Sequence, residues 1–312
     1  MKYDHYAYKV PKEKEVRVIL DSDAKNEADD QFALVQALLT QKFDVVGMIA
    51  AHFGTRVSDS MEQSYAEMEL LLDKMHFPKE GMVYHGCRQA LDITGTPEES
   101  EGVKLIIEEA MRPDPRPLYI ALMGPLTDIA AAYLLEPAIA GRITVIWIGG
   151  GPYPDGGEEF NLGNDIKAAN TVFGSRLEVW QVPKNVYEMI PVSMAELEYR
   201  VRPCGEIGRY LFDQLMEHAF TPGPRKSPFR TGESWVLGDS PSIGLLLYEH
   251  RFEFDWVQAP RITQDMHYFN DPRNRPIRVY RRIDPRLILE DLYAKLALFA
   301  AREKEQEQEE SK

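Results

Sequence analysis

The run Asp21-Ser-Asp23-Ala-Lys-Asn-Glu-Ala-Asp29-Asp30 places four aspartates and a glutamate within ten positions. Carboxylates packed that closely repel one another, and a bound cation removes the repulsion. With oxygen ligands only, the hard cations Ca²⁺ and Mg²⁺ fit best. A carboxylate beside such a cation can also take a proton from a water that the cation has made more acidic. Capping and solvated surface charge are the plainer reading, but a cap needs only one or two acids. Asn26 is the expected N-cap of the helix that follows, with Glu27, Asp29 and Asp30 in its first turn.

The elements that must position these acids follow from periodicity. Val16 to Leu20, Val45 to Ala50, Leu118 to Met123, Ile143 to Ile148 and Leu177 to Val182 are apolar runs suited to strands buried on both faces. Between them, apolar residues recur at helical spacing: Ala28, Phe32, Val35 and Leu39, then Met61 to Met75, Val103 to Met111 and Leu126 to Leu135. Strand and helix in alternation predict βαβ units, an α/β fold with a mostly parallel sheet. The acidic run then lies at the carboxyl end of the first strand, where open α/β sheets bind ligands.

After Val182 the pattern turns helical, with Ile207 to Phe220, Ser240 to Tyr248 and Pro285 to Arg302 as helices and Arg278 to Arg282 as a late strand. The tail, 303–312, is charged or amide-bearing almost throughout and is expected to fray. The expectation is one domain over 1–312, with a βαβ core over 15–183 and helical decoration over 184–302.

Composition narrows the partners. Lys and Arg total 36 against 50 Asp and Glu, a net charge of −14. Nucleic acid and anionic membranes are repelled on average, which leaves a small molecule as the expected partner. No apolar run reaches the ~20 residues of a membrane span, and the first residues lack a signal-like apolar core. Two cysteines far apart make no disulfide framework, and a cytoplasmic protein is expected.

The acidic run resembles the signature of inosine-uridine-type nucleoside hydrolases, D-x-D-P-G-x-D-D after the first strand. Here it carries a two-residue insertion and lacks the Pro-Gly. Further motifs follow in the family's order. Gly124-Pro-Leu-Thr-Asp128-Ile-Ala is similar to G-P-L-T-N-[IL]-A, and Ile148-Gly-Gly-Gly151 to an apolar-G-G segment. Glu159-Phe-Asn161 with Asn164-Asp165-Ile-Lys-Ala-Ala169 is similar to E-F-N followed by n-D-P-x-A-A, and Asp239 supplies a late acid.

The resemblance implies an open, mostly parallel twisted sheet flanked by helices, a Rossmann-like three-layer core. It implies Ca²⁺-dependent hydrolysis of an N-glycosidic bond in a ribonucleoside or related N-riboside, in purine or pyrimidine salvage, by a homo-oligomer (dimer or tetramer). Carried over by position, Asp23, Asp30, the Met123 carbonyl and Asp239 would hold the metal, with Asp21 supporting them. Asp23 would also be the general base, and Asp29, Glu159 and Asn161 would hold the ribose. Thr55 and His52 stand where the family often has Gly-Asn against the sugar. Purine-cleaving members carry a leaving-group His before the late Asp, whereas this chain has Gly238. His52, His85 and His267 are candidates to replace that acid, and Tyr153 or Trp235 to line the pocket. The basic segment with Arg225, Lys226 and Arg230 is a solvated loop or a flap over substrate. Two rivals are a non-catalytic nucleoside-binding or sugar-binding protein on the same scaffold and a haloacid-dehalogenase-like phosphatase, the latter opposed by Lys25 and Ile243.

Overall fold

In the computed structural model of the chain, the described residues are 1–92, 94–220, 232–248 and 252–310. Val16–Ser22 (β1) is buried along its whole length, including Arg17. That guanidinium is tolerated because it pairs with Glu109 at 3.0 Å and donates to the Glu109 carbonyl at 2.7 Å. Phe43–Ala50 (β2), Val83–His85 (β3), Leu118–Leu122 (β4), Ile143–Ile148 (β5) and Glu178–Val182 (β6) follow. Short strands Pro191–Ser193 (β7) and Ser234–Val236 (β8) pair with each other. Glu253–Gln258 (β9), Arg261–Ile262 (β10), Tyr268–Phe269 (β11) and Pro276–Arg282 (β12) complete the strands.

Eight strands form the main sheet in the order β3-β2-β1-β4-β5-β6-β12-β9. All neighbours pair in parallel except β9, which runs antiparallel to β12. The order reverses at β1, which has β2 on one side and β4 on the other. A reversal of this kind opens a crevice at the carboxyl ends of the two central strands.

Helices cover both faces. Asp30–Leu38 (α1), Ser60–Lys74 (α2), Glu101–Met111 (α3) and Thr127–Leu135 (α4) link the first strands. Phe160–Asn164 (α5), Ile166–Gly174 (α6), Lys184–Tyr187 (α7) and Met194–Arg200 (α8) come next. Gly205–Phe220 (α9), Ser240–Leu247 (α10) and Pro285–Glu310 (α11) follow. Side chains alternate along a strand, so the sheet feeds two cores. Val18 and Leu20 join Phe32, Leu71, Leu211, Leu246 and Leu292 on one face. Ile19, Ile120 and Leu122 join Ile106, Ile129, Val172 and Phe173 on the other. This is the predicted α/β architecture of a mostly parallel sheet between helical layers.

Three features differ from the sequence expectation. The segment 184–302 is not only helical decoration, because β12 and β9 extend the main sheet. Helix α1 begins at Asp30 with Asp29 as its N-cap, so Asn26 and Glu27 precede the helix. Helix α11 continues through the charged tail to Glu310. Its Glu, Lys and Gln residues are good helix formers, and extending a packed helix needs no new nucleus.

Ile120 is fully buried in β4 beneath the crevice. Ile120→Ala should cost about 2–5 kcal/mol in denaturant unfolding with an unchanged slope. A loss below about 1 kcal/mol would mean that this layer is not closely packed.

Candidate active site

A cleft opens at the reversal point, lined by residues that leave the carboxyl ends of β1, β4 and β5. Asp23 follows β1, Met123 follows β4, and Ile148 ends β5. Asp29 and Asp30 face it from the start of α1, and Asp239 from the start of α10. Glu159, Phe160 and Asn161 enter from the start of α5.

One carboxylate oxygen each from Asp29, Asp30 and Asp239 lie within 4.8 Å of one another, and all three residues are buried. Desolvation and mutual repulsion push the carboxyls of Asp23, Asp29 and Asp239 well above the usual range. Asp30 is pushed up to about 7, burial being the largest cause, while the Ser22 hydroxyl at 2.5 Å and Asp239 hydrogen-bond to it and oppose the rise. Asp23 is buried and its Oδ2 has no hydrogen-bond partner. An oxygen left bare at that depth is costly unless something else meets it. Close approach is built into the backbone here. A Cβ on Gly124 would lie 3.3 Å from both the Cβ and the amide nitrogen of Asp23.

Glu159 and Asn161 are held in place by the chain itself. Glu159 caps α5 and accepts from Asn161 N at 3.2 Å, Leu162 N at 2.8 Å, Gly150 N at 2.8 Å and the Tyr187 hydroxyl at 3.1 Å. The Asn161 amide donates to the Ile148 carbonyl at 2.9 Å and to the Met123 carbonyl at 3.4 Å. Asn161 is thereby in contact with the carbonyl expected to serve as a ligand.

The two-residue insertion has its own anchor. Glu67 of α2 is buried and holds Lys25 at 2.8 Å and Gln31 at 3.0 Å. The Tyr210 hydroxyl of α9 donates to the same carboxylate, and Gln214 of α9 donates to the Ala28 carbonyl at 2.9 Å. The lengthened loop is thus tied to two helices, and it brings Asn26 and Glu27 to the cleft wall.

Two expected substrate contacts lie elsewhere. Thr55 is exposed and does not line the cleft. His52 is fully buried outside the lining, and both ring nitrogens are engaged. Nε2 lies 2.8 Å from the Thr127 hydroxyl, Nδ1 accepts from Gly54 N at 3.2 Å, and Thr127 donates to Asp165 at 2.9 Å. A backbone amide can only donate, so Nδ1 is the acceptor and the ring is neutral with its proton on Nε2. Burial agrees, pushing its pKa down to about 4. Thr127 and Asp165 are therefore supports, with Asp165 also capping α6.

The other candidates for a proton donor also lie apart. His85 stacks on Tyr65 with ring centroids 4.0 Å apart and pairs with Glu101. His267 is exposed beside Asp265. Tyr153 donates to Gln181 at 2.8 Å, and Trp235 is buried in the core. Asp21 is fully buried outside the lining, and its carboxyl is pushed well up, first by burial and then by Asp128. Arg225, Lys226 and Arg230 lie outside the described residues.

Sequence reasoning missed Tyr187, Val236 and the role of Gly238 in the lining. A Cβ on Gly238 would meet the Tyr187 ring at 3.1 Å and Asp29 Oδ2 at 3.3 Å. The Tyr187 ring crowds the place where a side chain at 238 would begin. Phe160 had a signal, since it sits between two predicted site residues. Tyr187 had none, because only the fold brings β6 and α7 beside α10.

A model of the family described as inosine-uridine preferring nucleoside hydrolase matches residues 18–284. The pyrimidine-specific ribonucleoside hydrolase RihA of Salmonella arizonae is 27% identical over 262 residues, covering 70% of this chain and 83% of that one. The inosine-uridine preferring nucleoside hydrolase of Crithidia fasciculata is 38% identical over 89 residues, 27% of each chain. A solved plant nucleoside hydrolase superimposes over 90% of this chain and 99% of its own, with a TM-score of 0.73 and 20% identity. The purine-preferring ribonucleoside hydrolase from Gardnerella vaginalis does so over 91% and 99%, with a TM-score of 0.74 and 19% identity. These structures speak for the fold alone. The family match runs from within β1 to the residue before α11, across every element that lines the cleft. The chain belongs to the inosine-uridine preferring nucleoside hydrolase family, hydrolases of N-glycosyl bonds.

Proposed function

We propose that this chain hydrolyses the N-glycosidic bond of a ribonucleoside or related N-riboside, with Ca²⁺ bound among Asp23, Asp30, the Met123 carbonyl and Asp239. The observation that carries the reading is the convergence of buried acids on one cleft, with Glu159 and Asn161 fixed beside them. The donor set is all oxygen, and the bare Oδ2 of Asp23 is the kind of atom a hard cation meets. A divalent ion held there supplies positive charge that orders sugar hydroxyls and acidifies a neighbouring water.

The chain's own residues carry the remaining steps. Asp23 takes a proton from the attacking water through its carboxylate. Asp29, Glu159 and Asn161 grip the ribose hydroxyls. Glu159 keeps its orientation through four donors, so little reorganisation is needed on binding. The surrounding carboxylates favour the positive charge that develops on the sugar as the bond to nitrogen breaks. Phe160 adds an aromatic side chain to the lining between Glu159 and Asn161. We assign Asp21, buried at the end of β1 beside Asp128, the supporting role behind the site. The same reading has a single-domain cytoplasmic salvage enzyme that assembles as a homo-oligomer. Among the described residues no helix is long and apolar enough to cross a membrane.

A chromatographic assay of free base or sugar, over purine, pyrimidine and nicotinamide ribosides with and without Ca²⁺, tests the activity. Release should require the ion, and Asp23→Ala should lower kcat by about 10²-fold to 10⁴-fold. Release from no riboside, with calcium shown to be bound, would sink the reading.

A second prediction concerns stability. In the folded, cation-free protein Asp30 keeps its proton up to about pH 7, whereas an unfolded chain releases it near pH 4. The folded state binds more protons between these values, so stability falls as pH rises through that window. Calcium at about 100 times its Kd should restore roughly 2.7 kcal/mol at the alkaline end. Thermal melts at stepped pH, with chelator or Ca²⁺, would refute the metal assignment if the ion had no effect in wild type, or an equal effect in Asp30→Asn.

A further inference from the structure

We propose that the leaving base this site accepts already carries a positive charge in the substrate, as in an N-ribosyl pyridinium. The inference rests on the hydrolase reading and narrows its substrate class. In the reaction, a water oxygen bonds to the anomeric carbon and the bonding pair of the carbon–nitrogen bond goes to the base. The water loses one proton to Asp23. A neutral base receiving that pair leaves as an anion unless a second proton reaches it. A cationic base receives the same pair and leaves neutral, with no proton needed.

The carboxyls that would hold the ion have no proton to give once it is bound, and the cleft supplies few others for a departing base. Among the described residues, no histidine, lysine or arginine lines it. Gly238 presents no side chain, and the Tyr187 ring crowds that position at 3.1 Å. Among the described residues, Tyr187 brings the one aromatic hydroxyl to the wall. Its proton is committed to Glu159 Oε1 at 3.1 Å, and burial with the Glu159 charge pushes its pKa well up. His52 sits outside the lining with both nitrogens engaged, and His85 and His267 are held on other surfaces.

Charge points the same way. Six carboxyls, those of Asp23, Glu27, Asp29, Asp30, Glu159 and Asp239, line the cleft, and one divalent ion offsets at most two negative charges among them. A pyridinium gains from the remaining negative field. Arg56 stacks over Phe160 at 5.4 Å from the ring centroid, but it is not part of the cleft lining.

The test uses the full chain with Ca²⁺ and compares N-ribosyl nicotinamide with inosine and uridine, each corrected for spontaneous hydrolysis. The expected kcat/KM for the pyridinium riboside exceeds both others by about 100-fold or more, the usual worth of a well-placed acid that the neutral substrates lack. Raising ionic strength should lower kcat/KM for the cationic riboside and leave inosine little changed. A preference below about tenfold, or equal salt dependence, overturns the proposal while leaving the hydrolase reading intact. Hydrolysis of none of the three, nor of any other riboside in the wider panel, with calcium bound, defeats the hydrolase reading itself.

Discussion

Several carboxylates buried in one cleft cannot all stay charged and uncompensated, and the rest of this molecule is arranged around that fact. Desolvation and repulsion raise Asp23, Asp29 and Asp239 together, so the folded chain stores an electrostatic debt at the ends of β1 and α10. Two closely packed apolar layers hold the site against that repulsion. The acids stand where strand order reverses between the parallel strands β1 and β4, so helices approach from both sides without closing the crevice. A cation held there would offset the negative charge that the chain alone cannot balance.

Rigidity at the cleft comes from polar groups that never touch it. His52, Thr127 and Asp165 form a buried chain of hydrogen bonds beneath the loops after β2, β4 and β5. Leu91 N also donates to Asp165 at 2.8 Å, adding a fourth segment to the same knot. Trp147 of β5 donates to the Gly124 carbonyl at 3.1 Å and fixes the turn that lies against Asp23. Glu67 plays the matching part for the lengthened loop after β1. Motif residues such as Thr127 and Asp165 thus fix backbone beside the cleft rather than lining it.

Much of this was legible in the chain. Strands β1, β2, β4, β5 and β6 are long apolar runs buried on both faces, and periodicity finds such runs well. β3 has three residues and β9 is a largely exposed edge, so neither carries a hydrophobic pattern to read. The acidic run announced the cleft because so many like charges have few other uses. His52 misled because position after a strand does not tell which way a side chain points; burial turned it inward. Asn26 looked like a cap by residue type, but the insertion delays the helix until Asp30. Tyr187 was invisible for a different reason. Its place depends on the packing of α7 beside Gly238, a contact between segments some fifty residues apart.

That contact also constrains how such a site can change over generations. Any side chain at position 238 would begin against the Tyr187 ring and against Asp29. A single substitution there meets a crowded wall, while a smaller residue at 187 alone removes one of the four donors to Glu159. The two positions are therefore coupled: a side chain at 238 needs the Tyr187 ring to give by a few tenths of an ångström, and that ring carries one of the hydroxyl and amide donors that orient Glu159.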